Sequence, residues 1–455
     1  MTTFEIRATE ENIIESLKKD SLGRNKDIVY FFRLLQHIEN IQTIAINGAW
    51  GSGKTFFIKQ IQLLMKALNP MSEMTNEKRE KILRRLRLSN EEKKDNYDLT
   101  VYYDAWENDS DNNPILSIIY QICKELGIEY SLGQKKEIVK IGSKIIELFT
   151  GHDFAEMIKA LQGEDPFKEF SKEKELQNQI SEFLSKILEE RGNRLVVFID
   201  ELDRCKPSFA VQLLEKIKHY LVDERIIFIF SVNISQLQHT ISQYYGNGFD
   251  SCRYLDRFFD LHIELPPADY TNFYIDMGLD KDYHVDIVCR RMIDNFNFTL
   301  REITRFYRIV KTAVYAPTHD KNKYDFIYPE SKGNLIIFII IVPIMVGLRM
   351  IDRKKYEDFI NGNDATPIID IYKGHDDGKW ILNEMLNPDE TFYEEEGKKT
   401  ITVEQKMHEL YEAVFVKKYD DKYNICIGKY EFTKQSKMIA MNAANMFSSY
   451  ANYDI

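Results

Sequence analysis

The sequence predicts an α/β fold, a parallel sheet covered by helices on both faces. Three observations carry this. Short apolar runs without internal alternation recur along the chain, and helical periodicity lies between them; strands buried on both faces read that way. A glycine-rich octapeptide joins one such strand to a helix. A later apolar strand ends in two adjacent carboxylates.

The elements follow in order. Residues 1–40 read as a helical lead-in broken at Leu22-Gly23-Arg24, and Ile41–Ile46 (IQTIAI) is a buried strand that turns at Asn47-Gly48. From Thr55 apolar residues recur at helical spacing. Leu99–Tyr103 (LTVYY) is a second strand, and Lys135–Phe149 within the following helical stretch is an amphipathic surface helix. Arg194–Ile199 (RLVVFI) and Arg225–Val232 (RIIFIFSV) are strands separated by a helix over Phe209–Leu221, and Leu261–Leu265 is a further short strand. Tyr283–Tyr315 turns helical. Beyond residue 330 the pattern is mixed, with turn-rich stretches at Asn361–Ala365 and Gly374–Gly378. The expected organisation is a core over 1–265 with a helical insert at about 107–190, a helical lid over 266–330, and a C-terminal domain, α+β or mainly helical, over 331–455.

With 455 residues, 44% hydrophobic and 29% charged, the chain is long enough for several cores and has a globular composition. A net charge of −11 argues against a binder that attracts nucleic acid over its whole surface. Arginines cluster in Lys78–Lys94, but glutamates dilute them and no aromatic residues interleave, so a nucleic-acid contact is left open without being indicated. The five cysteines (Cys123, Cys205, Cys252, Cys289 and Cys426) form no CxxC pair, which fits reduced thiols in a cytoplasmic protein. The opening residues carry no basic segment followed by an apolar run, and no signal peptide is expected. Leu335–Leu348 is uncharged, but 14 residues of helix cover only about 21 Å, Pro343 interrupts them, and Arg349, Asp352 and Arg353 follow. A core helix is expected there rather than a membrane span.

Gly48-Ala49-Trp50-Gly51-Ser52-Gly53-Lys54-Thr55 matches GxxxxGK[ST] between a strand and a helix. Glycines permit the backbone turns that aim successive N–H groups at an anion, and the helix N-terminus adds its partial positive charge. The expected phosphate-binding residues are this octapeptide and Phe56, which follows it on the helix. Lys54 would reach the β- and γ-phosphates and Thr55 would place its hydroxyl on magnesium. Val196–Glu201 ends at the carboxyl edge of the sheet, where ligands bind. There Asp200 would share the magnesium and Glu201 would orient or deprotonate the attacking water. Asn233, at the end of the next strand, would sense the γ-phosphate or align that water. Asn322-Lys323-Tyr324-Asp325 fits a guanine-binding signature by letters, yet no apolar strand precedes it and no glycine follows Asp200. ATP is therefore the expected nucleotide.

Together these residues resemble the KAP family of P-loop NTPases from about residue 15 to about 310. The resemblance rests on the phosphate loop with its Trp50, on Tyr103-Asp104-Ala105-Trp106 after a strand, on Ile199-Asp200-Glu201-Leu202-Asp203-Arg204-Cys205-Lys206-Pro207, and on Tyr254-Leu255-Asp256-Arg257-Phe258-Phe259-Asp260 leading to Leu265-Pro266. It departs in two places: the family usually has two aspartates where Asp200-Glu201 stand, and often an aspartate in place of Asn233. Many members carry transmembrane helices between the phosphate loop and the acidic strand; the charged insert here resembles a soluble member.

The resemblance implies a P-loop core of the additional-strand type and ATP-driven conformational change, with ATP and magnesium as ligands. Bacterial members are linked with phage exclusion and defence, and a homo-oligomer or a protein partner encoded nearby is expected. Arg301, opening a helix after the core, resembles the arginine that a helical lid directs at the γ-phosphate. Arg204, Arg253 and Arg257 are candidates for a finger acting on a neighbouring subunit. A nucleotide-gated scaffold with little hydrolysis is the competing expectation.

Overall fold

The computed structural model describes residues 8–39, 41–86, 88–89, 96–111, 113–128, 166–220, 223–279, 283–315, 332–374, 379–419 and 424–445. The helix expected over Lys135–Phe149 and the Asn322–Asp325 tetrad lie outside these residues, as do parts of the 78–94 and 374–378 stretches. The chain divides into two compact units, residues 1–273 and 274–455.

The first unit is built on five parallel strands: β1 (Thr43–Asn47), β2 (Leu99–Asp104), β3 (Leu195–Asp200), β4 (Ile226–Val232) and β5 (Leu261–Glu264). Their spatial order is β2-β3-β4-β1-β5. One strand, β4, thus separates β1, which feeds the phosphate loop, from β3, which ends in the acidic pair. That order is the additional-strand arrangement. The register is continuous: Asp104 lies opposite Asp200, Asp200 opposite Ser231, and Asn47 opposite both Val232 and Glu264. The functional residues therefore line up along one edge.

Alternation along the buried strands divides the core into two layers. Val101, Tyr103, Val197, Ile199, Phe228 and Phe230 face one layer, with α5 (Pro114–Glu125), α6 (Pro166–Arg191), α7 (Pro207–Tyr220) and α8 (Ile234–Tyr245) supplying residues such as Ile118, Phe183, Leu213 and Leu237. Ile44, Ile46, Val196, Phe198, Ile227 and Ile229 face the other, with α1 (Glu10–Lys19), α2 (Asn25–His37), α3 (Lys54–Leu68) and α4 (Asn76–Leu83) contributing Leu17, Phe32, Ile61 and Ile82. Each face is apolar because each is covered, which explains the unbroken hydrophobic runs. The edge strand β5 alternates between partly buried and exposed positions.

The second unit is mainly helical with two small two-stranded ladders. Helices His284–Asn295 and Leu300–Tyr315 pack with Val342–Ile351 in the same unit. The helical stretch Gly333–Ile351 is long and apolar enough to cross a membrane by length and composition, and 72% of its apolar window is buried inside the protein. It is longer than the uncharged run because polar residues extend both ends. Pro343 is accommodated by a π-helical turn at Ile337–Ile341 directly before it; proline has no N–H to donate and its ring crowds the carbonyl four residues back. Gly347 allows close approach, since a Cβ there would lie 2.4 Å from the Met292 methyl.

Candidate nucleotide-binding site

β1 enters the loop at Asn47 and α3 leaves it at Lys54. Gly51 and Gly53 have φ of 78° and 91°, in the left-handed region where a side chain is strained. The Gly48 N–H donates to the Val232 carbonyl at 3.2 Å, pinning the loop entrance to β4. A Cβ on Gly48 would sit 2.9 Å from Ser52 Oγ and 3.3 Å from Lys54 Cγ, so the loop folds tightly over its own lysine. Lys54 is 9% exposed and donates to the Gly48 and Ala49 carbonyls at 2.7 and 3.2 Å. Burial lowers its pKa, and Asp203, Asp200 and Glu201 act against that shift. The main-chain N–H groups of Lys54, Thr55 and Phe56 belong to the first helical turn, which lacks intrahelical acceptors. The Phe56 side chain packs against the α1–α4 layer, leaving its main chain as the part available to a ligand.

Across the sheet edge, Asp200 is 1% exposed. Its Oδ2 accepts from Thr55 Oγ1 at 2.7 Å and from the Tyr102 hydroxyl at 3.0 Å, while Oδ1 accepts the Glu201 N–H at 3.0 Å. Glu201 has a φ of 60°, unusual for a residue with a side chain. Burial pushes its carboxyl up to about 7; Asp200 adds to the rise and Arg204 opposes it. Asp104, on the neighbouring strand end, is raised as well, first by burial.

The donor set fits a triphosphate with a hard divalent cation. Ser52 Oγ is buried inside the loop with no hydrogen-bond partner, an orphan of the kind a phosphate oxygen satisfies. The Thr55 hydroxyl and the Asp200 carboxylate supply the oxygen ligands magnesium prefers.

The remaining sequence candidates fall as follows. Asn233 caps α8, its Oδ1 accepting the Gln236 N–H at 3.3 Å, so part of its role is structural. Arg301 belongs to the second unit and is exposed in the first turn of Leu300–Tyr315. Arg204 pairs through Nε with Glu201 Oε2 of its own chain, while Arg253 is exposed and pairs with Asp250 at 3.4 Å.

Several contributors were not singled out by motif. Arg24, buried, donates to the Ser52 carbonyl at 3.0 Å and to the Pro266 carbonyl at 2.5 Å, tying the phosphate loop to the segment after β5. Its signal was the Leu22-Gly23-Arg24 break. Asn47 accepts the Ile234 N–H at 2.9 Å and donates to both Glu264 oxygens at 2.9 and 3.0 Å, joining the ends of three strands. Tyr102 carried no signal beyond lying in a strand. Trp50, which the loop motif did place, donates through Nε1 to Asp203 Oδ2 at 2.5 Å.

A parallel sheet in which a strand-to-helix phosphate loop faces an acidic strand one place removed defines a P-loop NTPase of the additional-strand class. The model of the KAP family P-loop domain matches residues 24–315, and the chain belongs to that family. Family membership implies nucleotide binding. The chain is also 44% identical over 80 residues to an uncharacterized protein, MJ0182, of Methanocaldococcus jannaschii. That match covers 17% of this chain and 41% of the other, so the chain spans about two-fifths of the curated relative's length.

Proposed function

We propose that the protein binds ATP and hydrolyses it to ADP and phosphate, and that the cycle drives a conformational or oligomerisation switch. The observation that carries the reading is the 2.7 Å contact between Thr55 Oγ1 and Asp200 Oδ2, which joins the end of the phosphate loop to the acidic strand. Lys54 and the loop amides grip the β- and γ-phosphates. Thr55 and Asp200 would hold magnesium, which supplies positive charge against the phosphate oxygens. Glu201 takes a proton from the attacking water, a task suited to a carboxyl raised toward neutral pH. Asn233 offers the amide nitrogen left free of the cap to that water or to the γ-phosphate. ATP is preferred over GTP because no apolar strand leads into Asn322–Asp325.

The competing reading, a nucleotide-gated scaffold with little hydrolysis, draws support from the Arg204–Glu201 pair, which neutralises the proposed base. Glu201→Gln separates the two. The ATPase reading expects phosphate release to be abolished while nucleotide is still retained. Full biological activity in the variant favours the scaffold, and phosphate release that survives at the wild-type rate removes Glu201 from its role. The proposed setting is a cytoplasmic one in anti-phage defence, with a second copy or a protein encoded nearby as partner. Light scattering with and without ATP should show a mass increase; an unchanged particle argues against an oligomerisation switch.

A further inference from the structure

We infer that Arg204 is the positioning residue for Glu201, and that Trp50 links it to the phosphate loop; the inference rests on the reading of Glu201 as the base. Three elements meet at this arginine. The 3₁₀ turn Leu202–Arg204 follows Glu201 directly and brings residue 204 back beneath it. The Arg204 N–H donates to the Glu201 carbonyl at 3.1 Å, and its Nε pairs with Glu201 Oε2. The same residue thus holds both the main chain and the side chain of a residue in left-handed conformation. Such a conformation persists where its surroundings over-determine it.

The guanidinium is itself held. Its carbon lies 5.6 Å from the ring centre of Trp50 and 5.6 Å from that of Trp106, within cation–π range of both. Trp50 belongs to the phosphate loop and Trp106 to the segment after β2. Trp50 is also anchored to the turn through its 2.5 Å hydrogen bond to Asp203, the residue before Arg204. The two indoles remain 44% and 53% exposed, so they are large apolar rings kept at the surface beside the site rather than core residues. The Glu201 and Arg204 side chains are 20% and 21% exposed, so the pair is largely shielded from solvent.

The charges around Glu201 leave Arg204 in this role. Asp200, Asp203 and Asp104 are like-charged neighbours, and the Lys54 ammonium donates to loop carbonyls. A shift of Trp50 when the phosphate loop closes on a nucleotide would be passed through Asp203 and Arg204 to the base.

The test compares Arg204→Ala, Arg204→Gln and Arg204→Lys, alone and with Glu201→Gln, in the full chain. Phosphate release, ATP affinity by calorimetry and tryptophan emission are measured. Removing the guanidinium should lower kcat by about tenfold or more with ATP affinity nearly unchanged, and Arg204→Lys should recover part of the loss. In the Glu201→Gln background the Arg204 variants should have no further effect, because they act through Glu201. Emission of the nucleotide-free Arg204→Ala and Arg204→Gln variants should shift to the red as the indoles lose their stacked partner. If Glu201→Gln is inactive while Arg204→Ala and Arg204→Gln turn over at the wild-type rate, the positioning role is overturned and Glu201 keeps its own. If the Arg204 variants and Glu201→Gln reduce turnover multiplicatively, Arg204 acts independently and the inference fails. Wild-type turnover in Glu201→Gln removes the base and the positioning role together.

Discussion

Glu201→Gln has a consequence for stability as well as for turnover. The carboxyl is raised from an ordinary 4.5 to about 7, mainly by burial and then by Asp200. Between those two values the folded protein binds more protons at this position than the unfolded chain does. Stability contributed by the group therefore falls as pH rises through the window from 4.5 to 7, and is flat above it. A rise of about 2.5 in pKa, at about 1.4 kcal/mol for each, corresponds to about 3 kcal/mol. Glutamine never ionises, keeps an oxygen for Arg204 and has nearly the same shape, so the variant escapes this loss. In metal-free buffer Glu201→Gln should thus be more stable than the wild type by about 2–3 kcal/mol at pH 8 and show little of that advantage at pH 4.5. Urea denaturation followed by circular dichroism at the two pH values reads the difference, and titrations shared by both proteins cancel. A difference between the proteins that is the same at both pH values, or that grows toward acid, would refute a raised Glu201.

Three further outcomes follow from individual contacts. Tyr102→Phe removes one of the two side-chain hydroxyls on Asp200 Oδ2; it should raise the magnesium concentration for half-maximal phosphate release by about tenfold, with circular dichroism unchanged. Arg24→Ala strands the Ser52 and Pro266 carbonyls and should cost about 2–4 kcal/mol in urea unfolding, with weaker ATP binding as the loop loosens. In the second unit, fully buried Lys406 holds Glu390 and Glu409 at 2.7 Å each; Lys406→Met should cost about 3–5 kcal/mol by scanning calorimetry, because it leaves the buried Glu390 carboxylate unpaired, and Lys406→Ala should cost more, because it adds a cavity.

The parts of the site legible in the sequence are those written in consecutive residues. The phosphate loop needs glycines at fixed places before a lysine, and β3 needs an apolar run before its acids, so both motifs are local. The strands β1 to β4 were legible because burial on two faces demands unbroken apolar runs, whereas the edge strand β5 showed only as a short stretch. What could not be read depends on register between distant segments. Tyr102 reaches Asp200 only because β2 pairs with β3 with Asp104 opposite Asp200. Arg24 meets Pro266 across a separation of 242 residues. Arg204 could be listed as a cation near the site, but its slot between Trp50 and Trp106 forms only when three loops converge. Asn233 shows a different limit, since an amide at a strand end reads the same whether it caps the next helix or faces a ligand. The Gly333–Ile351 helix exceeds the uncharged run because Gly333 and Asn334 at one end and Arg349 to Ile351 at the other continue it.

The central claim is a triphosphate held by the loop amides and Lys54 beside Asp200. Calorimetric titration of the full chain with ATP and magnesium tests it directly. The account predicts saturable binding at one site, lost in Lys54→Ala while the variant's circular dichroism is unchanged. Absence of saturable heat with the wild type, or equal binding by Lys54→Ala, would contradict it.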